Sequence, residues 1–83
     1  MEELYKELHE HLEEEIEDAH EYIELAEAAE SRGCKYLAIG LHEIAREEFS
    51  HAKFHRDYLI SKGEQPKDEL DKKYHHLKNF FFG

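Results

Sequence analysis

Residues Leu37 to Tyr58 read LAIGLHEIAREEFSHAKFHRDY, and their spacing decides the fold. Leu37, Leu41, Ile44, Glu48, His51, His55 and Tyr58 recur at intervals of three and four, which keeps them on one face of an α-helix. Ala38, Ala45, Phe49, Ala52 and Leu59 widen that stripe. Such a stripe packs against a neighbour at the shallow angle typical of helix bundles. Glu48 and His51 sit badly in it, because a carboxylate in an apolar seam is costly unless paired, hydrogen-bonded or bound to metal.

Working outward, Glu2 to Glu30 contains no Gly or Pro and is rich in Glu, Leu, Ala and Lys, all good helix formers. Its own repeat runs Tyr5, Leu8, Leu12, Glu15, Ala19, Tyr22, Ala26 and Ala29, widened by Ile16, Ile23 and Leu25. Ser31-Arg32-Gly33 breaks the helix, with Gly33 placed to take the left-handed conformation that ends one. A second helix is predicted from about Lys35 to Ser61, closed by Gly63. The lone Gly40 inside it costs about 1 kcal/mol relative to Ala, and such a glycine often marks close packing. Glu64-Gln65-Pro66 turns the chain again, and Lys67 to about Phe80 reads as a short third helix. No β-type alternation occurs.

The predicted fold is therefore all-α. Residues 1–62 form a long antiparallel helical hairpin, and residues 63–83 a turn and a short amphipathic helix for assembly or docking. Two helices do not enclose stripes this wide, so a second hairpin is the natural partner, giving a C2 homodimer with four helices.

Eighty-three residues suffice for one small domain. A chain of that size buries only about 60% of the surface exposed when unfolded, so association, a metal or disulfides usually assist. Cys34 is the only cysteine, which removes disulfides as the main device and excludes a four-cysteine metal site within one chain. The net charge of −10, from 21 acidic and 11 basic residues, argues against nucleic acid as a partner and suits a protein that gathers cations. Most of those carboxylates are read as solvated helix faces. The acidic start, Met1-Glu2-Glu3-Leu4-Tyr5-Lys6-Glu7, is unlike a secretory leader, and no apolar run has membrane-spanning length. A cytoplasmic location without membrane partners is the expectation.

Glu15 joins Glu48 and His51 when heights are counted from the hairpin turn. Glu15 lies 18 residues before Gly33, and Glu48 and His51 lie 15 and 18 after it. At about 1.5 Å per residue all three fall at one level, roughly 22–27 Å from the tip. Glu48 and His51, three apart, share a face. One Glu from one helix and Glu-x-x-His from the next, each supplied twice, is the pattern of a carboxylate-bridged dinuclear site. One hairpin has too few donors for two metals, whereas a C2 dimer offers four carboxylates and two imidazoles. Mixed oxygen and nitrogen ligation favours iron or manganese over structural zinc. Taken alone, Glu15 and Glu48 also suit interface salt bridges, His51 a hydrogen-bonded core position, and Tyr22 simple packing.

The segment Glu15-x6-Tyr22-x10-Gly33, with Leu37-Ala38 and Glu48-Phe49-Ser50-His51-Ala52, resembles the rubrerythrin branch of the ferritin-like superfamily over roughly residues 8–60. The resemblance implies that Glu15, Glu48 and His51 are iron ligands, and that Tyr22 is a hydrogen-bond donor beside them. It implies iron as cofactor, with manganese or zinc as substitutes. Full-length rubrerythrins have four helices in one chain and a four-cysteine module, both missing here. The two-helix plan is similar instead to the encapsulated ferritins, which build a ferroxidase centre between two chains inside a protein nanocompartment. That likeness implies an encapsulating shell protein as a further partner, although Asn79-Phe80-Phe81-Phe82-Gly83 carries no targeting signature of those proteins.

The expected activity is oxidation of Fe(II) to Fe(III) by O2 or H2O2 at a site between two subunits. Its rivals are a rubrerythrin-like peroxide reductase and a non-enzymatic metal-binding assembly module. His55, one turn past His51, is open to an accessory ligand role, a proton relay or a core position. His9, His11, His20 and His42 are expected off the seam. Glu13, Glu14, Glu17 and Asp18 are read as solvated, with guidance of Fe(II) as the alternative. Leu70, Tyr74, Leu77 and Phe81 form the third helix's stripe.

Overall fold

The computed structural model describes every residue, Met1–Gly83. Three helices follow in order: α1 (Glu2–Ser31), α2 (Lys35–Ser61) and α3 (Asp68–Phe82). No strand is present, and no helix is long and apolar enough to cross a membrane.

The same device ends α1 and α2. Gly33 takes φ 78° and Gly63 φ 82°, in the left-handed region that a side chain resists. After α1, the Cys34 N–H donates to the Ala29 carbonyl at 2.9 Å and Gly33 N–H to Glu30 at 3.0 Å. After α2, the Glu64 N–H donates to Leu59 at 3.0 Å and Gly63 N–H to Ile60 at 3.0 Å. Each pair satisfies two of the carbonyls that a helix end leaves bare, and both stops are sharp enough to reverse the chain. The particle is accordingly long and thin, 47 × 22 × 17 Å.

α3 runs back along the hairpin and completes its core. Leu12, Ile16, Ala19 and Ile23 of α1, Ala45, Phe49, Ala52 and Leu59 of α2, and Tyr74 and Leu77 of α3 form one buried cluster. Phe49 is its centre, fully buried, with the Tyr74 ring stacked at 5.1 Å and Phe81 at 5.5 Å. Polar contacts fix the rim. Arg56 donates through Nε to Asp71 at 2.9 Å while its guanidinium lies 4.4 Å from the Tyr74 ring centre. His9 Nε2 and Glu64 Oε1, 3.1 Å apart, hold the second turn against α1.

The predicted α2 stripe is not what the chain buries: of its two margins it buries the one expected only to widen the stripe, Ala38, Ala45, Phe49, Ala52 and Leu59, because the rings of α3 stack on Phe49. The other stays open: Leu37 is 56% and Ile44 39% exposed, and on α1 Leu25 is 52% exposed. Gly40 belongs to the uncovered side as well. A methyl group added there meets nothing within 4 Å, so within one chain this glycine marks no close approach. α3 packs where Phe49 points, and nothing in the chain covers the opposite flank.

Candidate metal centre

Each residue turns an α-helix by about 100°. Phe49 is locked into the core, so Glu48 beside it is swung to the edge of the covered surface. Ile16 does the same for Glu15 on α1. Both carboxylates end up mostly shielded, with side chains 13% (Glu15) and 25% (Glu48) exposed, while His51 remains 61% exposed. They lie on the flank facing away from α3.

The three side chains predicted as ligands converge. His51 Nδ1 stands 3.8 Å from Glu15 Oε2 and 3.7 Å from Glu48 Oε1. These separations are too long for hydrogen bonds. They suit donors on either side of a cation, because two bonds of ~2.1 Å at an open angle put their ends roughly 3.5–4 Å apart. The donor set thus fits a first-row metal ion. No group of three or more such side chains is gathered closely enough in one chain to hold a metal by itself. What the chain presents is two carboxylates and an imidazole brought together on an uncovered face.

Electrostatics mark the same spot. Glu48 has its carboxyl pushed above the ordinary carboxylate range, first by burial and then by the charge of Asp18. Glu15 and Glu47 add to the rise, and His51 opposes it. A carboxyl raised in the fold contributes stability that is complete below its unfolded pKa and lost as pH rises through the folded value. At neutral pH the ionised Glu48 is therefore a strain on the metal-free chain. Glu48→Gln is expected to raise the melting temperature of the apoprotein at pH 7 by about 2–4 °C, the size of one relieved like-charge pair. The gain should fade as the pH falls through the carboxylate range. An equal gain at pH 3 and pH 7, followed by circular dichroism, would show that charge is not the cause.

Tyr22 lies half-buried against the core, and its hydroxyl makes no hydrogen bond within the chain. Two histidines adjoin these carboxylates, His55 from the predicted stripe and His11 from outside the expected seam. His55 Nδ1 reaches Glu15 Oε1 at 2.6 Å, and His11 stacks on His55 with ring centres 6.0 Å apart. The count that pairs Glu15 with His51 also pairs these two, since His11 lies 22 residues before Gly33 and His55 22 after it. Asp18, read as solvated, is exposed yet close enough to act on Glu48. His9 and His42 are half-buried rather than on the open surface, against Glu64 and against Phe80 and Phe81.

An all-helical hairpin with a short third helix, carrying two carboxylates and an imidazole at one level, fits a ferritin-like protein. The sequence profile of the rubrerythrin family matches residues 6–83, and the chain belongs to that family, whose members typically bind iron. The match runs beyond residues 8–60 and takes in α3. Neither an individual curated protein nor a solved structure matches the chain.

Proposed function

We propose that the protein is a ferroxidase whose di-iron site forms between two copies of the chain. The observation that carries this reading is the placement of Glu15, Glu48 and His51 on the one flank that α3 leaves bare. Each hairpin brings two carboxylates and one imidazole. A second hairpin laid on that flank by a two-fold axis supplies the same set again, while Leu25, Leu37 and Ile44 lose their exposure. The iron is substrate as well as occupant.

Two Fe(II) ions held side by side give up one electron each. Molecular oxygen takes the pair with two protons and leaves as hydrogen peroxide; peroxide as oxidant takes a pair with two protons and becomes two waters. The protein's share is to fix the ligand atoms, to bring negative charge where ferric charge develops, and to shield the site from bulk water. Glu48, already short of solvent and crowded by Asp18 and Glu15, gains a cation to balance its charge. Tyr22 borders the same flank with its hydroxyl uncommitted, available as a hydrogen-bond donor. Iron storage or detoxification is the purpose such a reaction serves, and an encapsulating shell is a partner consistent with the two-helix plan.

Anaerobic titration of the apoprotein with Fe(II), followed by air, tests the proposal. The expected result is saturation at one iron per chain, doubling of the native mass, and a ferric absorbance that grows much faster than in free solution. Running the same mixture with peroxide compares the two oxidants. Weak, unsaturable binding without acceleration would overturn the reading and leave a structural module.

A further inference from the structure

The Glu15 carboxylate meets two imidazoles of α2, and it meets them differently. His55 Nδ1 lies 2.6 Å from Oε1, whereas His51 Nδ1 lies 3.8 Å from Oε2. An ionised carboxylate only accepts hydrogen bonds, so the shorter contact requires the proton on Nδ1 of His55. A metal between a carboxylate oxygen and an imidazole nitrogen, with bonds of ~2.1 Å, keeps those atoms roughly 3 Å apart even at a right angle. The His55 contact is shorter than that limit and the His51 contact is longer. One imidazole is bonded to the carboxylate; the other is spaced from it by about the width of a cation.

His55 is itself held. Its side chain is only 21% exposed, the His11 ring stacks on it at 6.0 Å, and the Phe54 ring meets it edge-on at 5.6 Å. We propose that His55 is a positioning residue for the metal centre: its Nδ1–H fixes Oε1 of Glu15, which leaves Oε2, the oxygen nearer His51, as the ligand oxygen. The role rests on the di-iron reading given above. It assigns to His55 a task other than ligation, and to His11 the task of bracing the His55 ring from the exposed side. A glutamate has three rotatable bonds, and pinning one oxygen removes much of that freedom before metal arrives.

Co(II), which air does not readily oxidise here, serves as the probe. It is titrated into the full-length chain by calorimetry and visible absorbance, for the wild type and for His55→Leu, His55→Asn and His51→Ala. His55→Leu should weaken Co(II) binding by about 10–100-fold, the usual effect of losing a group that orients a ligand, with stoichiometry and ligand-field spectrum unchanged. His55→Asn, which keeps an N–H near the Nδ1 position, should recover most of the loss. His51→Ala should change the spectrum. Equal affinity in the wild type and His55→Leu would overturn the role, as would failure of Asn to rescue. A spectrum altered like that of His51→Ala would overturn it too, by making His55 a ligand.

Should His55→Leu fail to fold, nitrogen NMR of histidine-labelled wild type decides. Nδ1–H on His55 with and without Zn(II) supports the role, and a shift to a metal-bound nitrogen overturns it. A wild type that binds no metal saturably overturns the di-iron reading itself.

Discussion

Glu48→Ala and His51→Ala are each expected to lose the proposed rapid Fe(II) oxidation, falling by at least about 100-fold, while the far-ultraviolet helical signal stays close to that of the wild type. The lower bound follows from what weaker perturbations do: removing a group that merely orients a ligand typically lowers metal affinity by about 10–100-fold, and a lost ligand exceeds that. Symmetry deepens the effect. In the proposed site drawn from two copies, every single substitution removes two donors, so neither iron would keep a complete set. Folding is spared for reasons visible in the chain. His51 is 61% exposed and packs little, and Glu48 is a carboxylate that the fold already disfavours in its charged form. Stopped-flow absorbance of the reconstituted proteins, beside circular dichroism of the same samples, reads both halves of the expectation. Oxidation at wild-type rate in either variant would leave the proposed site without its chemistry.

The two long helices were legible because their signals are local. A run from Glu2 to Glu30 without Gly or Pro and glycines at 33 and 63 with φ near 80° settle where helices start and stop within a few atoms of backbone. The level shared by Glu15, Glu48 and His51 was legible for a related reason, since the rise per residue is fixed and the turn gives a common origin. The rotation of α2 about its own axis was not. Spacing made Leu37, Leu41 and Ile44 the centre of its stripe and Ala38, Ala45, Phe49 and Ala52 the margin, and the structure reverses the two. Packing chooses: the aromatic rings of α3 stack on Phe49, and the aliphatic stripe with its Glu and His is left outward. The His55–Glu15 contact depends on that same rotation to within a fraction of a turn. For that reason a count of spacings left His55 among several roles, and His11 off the seam altogether.

Phe49→Ala is expected to be the most destabilising single change in the molecule. Its side chain is fully buried, and its ring lies 5.1 Å from Tyr74, 5.5 Å from Phe81 and 6.0 Å from Phe82. Truncating a buried phenylalanine costs about 3–5 kcal/mol through lost burial and the cavity left behind. Stability of about 0.05–0.15 kcal/mol per residue makes that a large share of what a domain this small possesses. The melting temperature should drop by about 12–40 °C, at roughly 4–8 °C per kcal/mol. Phe54, five residues on and 68% exposed, is the internal control, because its loss to Ala should stay within about 0.5 kcal/mol. The metal flank faces away from Phe49, so the damaged chain should still be rescued by Co(II). A ligand at a hundred times its dissociation constant restores about 2.7 kcal/mol to whichever fold binds it. A large fall without rescue would mean that the site needs α3 in place, making the third helix part of the metal centre's architecture. A fall of only a few degrees would mean that α3 holds itself to the hairpin by other means, with the Arg56–Asp71 bond the first to examine.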